Sequence, residues 1–357
     1  VDPTIPLPVE TAADDMHTFD AKDLAENLSW EMILAGMIRI IAEEKNPADL
    51  PAVDQPAVKP HWVNYYRQFV LTLKPEIYNE FTGAAVIKAR NRDFDEALEI
   101  ISILEGLFPD SPQVLLNKAL IQEEETAELE RKGCEMEAAL LSDRTAETYK
   151  RALAMEPVLP ELYYNLGFFY SARKNFGKAR EFFNEYLAVA NDAEKKEKAE
   201  KIAGEIEKTG LDNPKYTESL ELIRQGKETQ ALALIHDFIA EYPMVWNAWF
   251  VLGWALRKLG RYGDALASFR KAAELGGKNA DTRNETAICL MEVGEFPEAR
   301  KELETALWED PENVKIISNL GIIALKTGRE KEASGFFRTV LELNPQDPLA
   351  IKFFNTP

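Results

Sequence analysis

Cysteine and histidine are scarce: Cys134 and Cys289, with His17, His61 and His236, are all that 357 residues contain. Two scattered thiols build no disulfide framework, and no HxxxH or CxxC spacing offers a metal site. The thiols fit a reducing compartment, so the cytoplasm is the expected location. The sequence opens at Val1 rather than Met, which keeps a periplasmic or secreted form, or an anchor ahead of Val1, among the expectations. Long hydrophobic runs are also missing, and none approaches the roughly 18 residues a bilayer requires, so no direct membrane span is expected. Bases are the minority, 42 against 61 acids, and the net charge is -19. Such a field repels phosphate backbones and anionic lipid. It excludes nucleic acid as a general partner and leans any protein partner towards basic. No phosphate-cradling glycine loop or nucleophile–base set is present, and acid pairs such as Glu123 with Glu124 or Asp281 with Glu285 read as solvated surface. No catalysis and no cofactor are expected.

What the chain does have is a period. The stretch from Asn247 to Gly277 reads as two short helices joined at Gly260. Trp249, Leu252, Gly253 and Leu256 mark the first helix, and Tyr262, Ala265, Phe269 and Ala272 the second; spacings of three and four place them on one face. A shift of 34 residues maps Gly253 onto Ala287 and Gly321, Gly260 onto Gly294 and Gly328, and Ala265 onto Ala299 and Ala333. It also maps Phe269 onto Leu303 and Phe337, while one step backwards gives Gly226, Ala231, Ile235 and Pro243. Four copies in register mark a repeat architecture. Gly or Ala on the first helix is expected to face Ala on the second so that the axes approach closely, with aromatic or Leu residues filling the space around them. Neither helix can bury its apolar face alone, so each copy needs its neighbours.

Before this regular part the frame is interrupted. Residues 1–19 carry three prolines without a helical period and read as an arm. A helical cap is expected over 20–75, with Trp30, Ile33, Leu34, Met37, Ile38, Ile40 and Ile41 in one helix, a four-proline loop, and a second helix ending near Pro75. The first helix packs on the first repeats or forms a dimer seam. Repeats are expected over 76–192, where one second helix arrives 14 residues late; this 14-residue insertion falls within the charged segment 123–142, which projects from the stack. Fourteen residues are close to four helical turns, which keeps the packing face aligned. A charged helix is expected at 193–210, four regular copies at 211–347, and a truncated capping helix at 348–357. That last stub is either a sufficient cap, a face for self-association, or the point where a longer chain continues.

These residues resemble the tetratricopeptide repeat (TPR) family. The resemblance implies an all-α fold, a right-handed TPR superhelix (α-α solenoid) of about seven helix pairs with an N-terminal helical cap. It also implies a non-catalytic protein–protein interaction scaffold or adaptor, holding a peptide or protein segment on a concave surface lined by the first helices. The residues pointing away from the packing face there include Tyr164, Asn165, Phe168, Tyr216, Phe250, Trp254, Arg257, Asn284 and Asn319. Their expected role is an aromatic groove for an apolar or aromatic-bearing peptide, with Asn165, Asn284 and Asn319 bonding its backbone; the alternative is that the rings fill seams between repeats. The family's carboxylate clamp for chaperone tails is not reproduced, because Tyr164, Tyr216 and Phe250 stand where its leading Lys would be, and Trp254 where an Asn would be. The competing function is a structural one: a self-assembling homo-oligomer built through the N-terminal helix or the C-terminal face.

Overall fold

In the computed structural model, residues 29–43 and 60–355 are described. The expected arm at 1–19 and most of the proline loop lie outside them. Helices occupy nearly all of the described chain, with no strand among the described residues. They form two compact units, one containing residues up to 125 together with 141–159, the other containing 126–140 and everything from 160 onward.

The first unit holds α1 (Trp30–Glu43), α2 (Pro60–Leu73), α3 (Ile77–Arg90), α4 (Phe94–Leu107) and the parts of α5 (Pro112–Arg131) and α6 (Glu135–Leu153) outside 126–140. The buried stripe of α1, Ile33, Met37 and Ile41, meets Val63, Tyr66 and Val70 of α2, joined by Ile77 and Leu107. Spacings of three and four turn both stripes towards one another, so these residues form an intramolecular core. At Gly106 an added Cβ would sit 2.8 Å from the Ile41 carbonyl oxygen, so only a glycine lets α1 rest on α4 this closely.

Between α4, α5 and α6 the packing turns polar. Glu105, only 5% exposed, accepts hydrogen bonds from Lys118 Nζ at 2.9 Å and Arg151 Nη2 at 2.8 Å. One turn along α5, the Thr148 hydroxyl donates to Gln122 at 2.9 Å, and the buried Tyr149 hydroxyl donates to Glu123. Burial pushes the Glu123 carboxyl up to about 7, although the Tyr149 hydrogen bond pulls the other way.

The second unit contains α7 (Pro160–Ala172), α8 (Phe176–Val189), α9 (Ala193–Thr209), α10 (Pro214–Arg224) and α11 (Glu228–Glu241). It continues with α12 (Trp246–Lys258), α13 (Tyr262–Glu274), α14 (Ala280–Glu292), α15 (Phe296–Glu309), α16 (Val314–Lys326), α17 (Glu330–Leu343) and α18 (Pro348–Asn355). Pairs α7–α8, α10–α11, α12–α13, α14–α15 and α16–α17 pack as hairpins, and each second helix from α11 onward packs on the next first helix. With α3–α4 and α5–α6, the described residues carry seven helix pairs in the order the 34-residue frame requires.

Local chemistry sets the boundaries. Gly226, Gly260, Gly294 and Gly328 take positive φ at successive turns, and at the equivalent turns Arg92 and Lys174 adopt the same left-handed conformation without glycine. Asn279 and Asn313 cap the next first helices through their side-chain oxygens, and Asp347 does the same for Ala350. The small residue on the first helix serves a purpose other than the one expected from the sequence. An added Cβ on Gly253 would meet the Phe269 ring at 2.7 Å, one on Gly321 the Phe337 ring at 2.9 Å, and one on Gly167 the Phe183 ring at 2.5 Å. Glycine thus makes room for a whole aromatic ring. In the pair between them the same two positions hold Ala287 and Leu303, both fully buried: a larger first-helix residue stands with a smaller second-helix one.

The charged insertion does not project freely. Its tip, residues 126–140, belongs to the second unit. There Asn344 Nδ2 donates to the Lys132 carbonyl at 2.9 Å, and Lys315 Nζ lies 2.6 Å from Glu135 Oε1.

Candidate functional site

The first helices α12, α14 and α16 lie side by side, each in contact with the next. Their faces turned away from the second helices line a cavity of about 700 Å³. Phe250 and Trp254 form one wall, with Lys174 Nζ 5.2 Å from the Phe250 ring centre and Lys258 Nζ 5.3 Å from that of Trp254. Arg257 on α12 pairs with Glu285 on α14, and burial pushes the Glu285 carboxyl up against the pull of that guanidinium. On the floor, Asn319 Nδ2 donates to Asn284 Oδ1 at 2.8 Å, linking α16 to α14. Next to it Ser318, 8% exposed, has a buried hydroxyl with no hydrogen-bond partner. Ile288 and Ile322 supply apolar surface, and Gly133 and Glu135 of the insertion tip complete the lining.

Five of the nine residues singled out from the sequence therefore converge: Phe250, Trp254, Arg257, Asn284 and Asn319. The other four do not join them. Tyr216 is 1% exposed, its ring centre 6.0 Å from Phe176 and 5.4 Å from Phe238, so α8 and α11 close over a face the repeat frame leaves open. Tyr164 and Phe168 lie beneath α9, whose Lys195 and Lys198 ammonium groups stand 5.8 Å and 4.9 Å from their ring centres. Asn165 Nδ2 donates at 2.8 Å to the Glu161 carbonyl of its own helix. The helix expected at 193–210 thus covers the rings of Tyr164 and Phe168.

Ser318, Glu285 and Lys315 escaped the sequence reading as site residues. The signal for Ser318 was available: it precedes Asn319 and carries a hydroxyl among isoleucines in VKIISNLGII. The lining charges balance, with Glu135, Asp281, Glu285 and Asp347 against Lys174, Arg257, Lys258 and Lys315. Cys289 on α14 is fully buried, and its thiol is pushed up to about 12, chiefly by that burial. Among the described residues no group of three or more His, Cys, Asp or Glu side chains is placed to hold a metal ion. No described helix is long and apolar enough to cross a membrane.

Three family models, each described as a tetratricopeptide repeat, match residues 160–192, 216–280, and 256–307 with 290–352. The TPR repeat-containing protein MJ1428 of Methanocaldococcus jannaschii is 27% identical over 159 residues, 43% of this chain and 25% of that protein. Cytochrome c-type biogenesis protein CycH of Bradyrhizobium diazoefficiens is 28% identical over 125 residues, 34% of either chain. The chain thus spans a quarter and about a third of the length of these two relatives. Among solved structures, YrrB, described as a TPR protein with an unusual peptide-binding site, matches 58% of this chain and 98% of its own at 17% identity and a TM-score of 0.36. MamA from Desulfovibrio magneticus matches 53% of this chain and 97% of its own at 18% identity and the same TM-score, 0.36. With the 34-residue frame, the consecutive helix pairs and these sequence matches together, the chain belongs to the tetratricopeptide repeat family.

Proposed function

We propose that this protein is an interaction scaffold that takes an extended segment of a partner protein into the cavity lined by α12, α14 and α16. A TPR array is in general a protein–protein interaction scaffold; the specific reading rests on the cavity floor. The buried, unpartnered Ser318 hydroxyl stands beside the Asn284–Asn319 amide pair. A buried polar group without a partner is costly, and a ligand that supplies one recovers that cost. Once Asn319 has donated to Asn284, the Asn284 amide nitrogen and the Asn319 oxygen can still donate and accept, which suits a peptide backbone. Phe250, Trp254, Ile288 and Ile322 provide the adjoining apolar surface. With the lining charges balanced, an apolar or aromatic side chain is the anchor this geometry favours. The acidic surface of net charge -19 steers a basic partner towards the scaffold from a distance.

The test begins with capture of partners from the source organism and mapping of the bound segment on overlapping peptides. Titration of that segment then compares the wild type with Phe250→Ala, Trp254→Ala and with Ser318→Ala. The double variant is expected to weaken binding tenfold or more, with helicity unchanged. Equal affinity for all three proteins would move the binding site away from this cavity.

A further inference from the structure

The tip of the α5–α6 hairpin is the feature the repeat pattern does not require. At its turn, Gly133 has φ +74°, and a Cβ added there would lie 3.8 Å from Val314 Cγ1 at the start of α16. A hydrogen bond and ion pairs between half-exposed or exposed side chains tie the tip to the repeats. Asn344 Nδ2 holds the Lys132 carbonyl, and Lys315 Nζ holds Glu135. Arg131 lies 3.8 Å from both Asp310 and Glu312. Of the apolar side chains of the tip, Ala138 is buried, whereas Met136 and Leu140 stay 75% and 58% exposed. Solvent-accessible ion pairs contribute little net stability and weaken further with salt, whereas an apolar seat would hold firmly. Yet Gly133 and Glu135 form part of the lining of the same cavity as Ser318.

We infer that the hairpin tip is a releasable strap over the proposed binding cavity: closed through these polar ties, it limits access to the floor, and its release admits a partner segment. This regulation rests on the cavity being the binding site, but strap movement can be measured with no partner present.

Two variants of the full chain break the ties without touching the cavity lining. Arg131→Gln removes the charge facing Asp310 and Glu312. Asn344→Asp removes the donor to Lys132 but keeps the side-chain oxygen that caps Gln346. The first readout is a zero-length carbodiimide cross-link between Glu135 and Lys315, quantified by mass spectrometry; its yield is expected to fall at least threefold in the double variant and in high salt. The second places a thiol on the floor by Ser318→Cys in a Cys134→Ser background, with the buried Cys289 silent. Its reaction with a bulky neutral maleimide is expected to speed up at least threefold when Arg131→Gln and Asn344→Asp are added.

A cross-link yield unmoved by salt and substitution would mean a fixed tip and would overturn the strap. A fallen yield with an unchanged maleimide rate would mean a tip that leaves without gating the cavity, which overturns it equally. Neither readout depends on finding a partner, so failure of the binding proposal shows itself separately.

Discussion

Replacing Gly253 by Ala is expected to destabilise the protein by about 2 kcal/mol. Two opposed effects set the sign. An interior helical Gly→Ala change gains about 1 kcal/mol from backbone propensity. Against this, the new Cβ would lie 2.7 Å from the fully buried Phe269 ring, a contact real methyl groups essentially never make. Overpacking a core of this kind costs roughly 1–3 kcal/mol, and the upper end applies because a helix backbone and a confined ring must both move. Phe269→Leu alone leaves a void and also destabilises. The two changes together recreate the Ala287–Leu303 arrangement of the neighbouring pair, so the double variant should be more stable than the sum of the single changes by about 2 kcal/mol. Urea unfolding followed by helix ellipticity gives all corners of the cycle. Gly204→Ala on α9 serves as control: nothing lies within 4 Å of its added Cβ, and it should stabilise by up to about 1 kcal/mol. Simple additivity at Gly253 and Phe269 would mean that glycine stands there for another reason.

Glu123→Gln is expected to stabilise the protein at pH 8 and to matter little at pH 4. The folded-state carboxyl is raised from its ordinary 4.5 to about 7, with burial as the main cause. The folded chain therefore binds more protons than the unfolded chain between those values. Its contribution to stability is full below about 4.5 and declines as pH rises, reaching its floor above about 7. At 1.36 kcal/mol per unit, the decline is roughly 3 kcal/mol. Glutamine keeps an acceptor for the Tyr149 hydroxyl and removes the ionisation. Other carboxylates also titrate in this range, so the informative quantity is the difference in unfolding free energy between variant and wild type. That difference should grow by roughly 3 kcal/mol from pH 4 to pH 8. A flat difference would show that water reaches Glu123 in the folded protein.

The repeat pairs were legible in the sequence because the same 34-residue interval fixes several physical constraints together. Turn glycines at 226, 260, 294 and 328, and buried partners such as Ala265 and Phe269, recur in one register. What the period cannot report is which neighbour covers the remaining face of each first helix. Tyr216 and Phe250 are equivalent by position. One is sealed by α8 and α11, while the other borders the cavity. The insertions decide such outcomes. Lysines on α9 lie over Tyr164 and Phe168, and the hairpin tip reaches the α16 side of the cavity. Both segments read from the sequence as solvated because their charges alternate, but a charged side chain also covers a ring with its aliphatic stem. The Ser318–Asn319–Asn284 floor was half legible: the asparagines were found by their outward register, the serine only by the want of a partner for its hydroxyl.

The Lys132–Asn344 hydrogen bond joins positions 212 residues apart. Tandem helical repeats ordinarily behave as a one-dimensional chain, in which each member feels only its neighbours and the last one frays first. A bond between the hairpin tip and the loop before α18 adds a contact within the second unit that skips the neighbours along that line. Loop-closure entropy makes such a tie late to form, after the intervening helices are in place. While the strap is closed, the tie reaches the C-terminal end of the array; when it opens, that end keeps only its neighbouring repeat. Cooperativity in the second unit is then a matter of topology as well as of the packing between adjacent repeats.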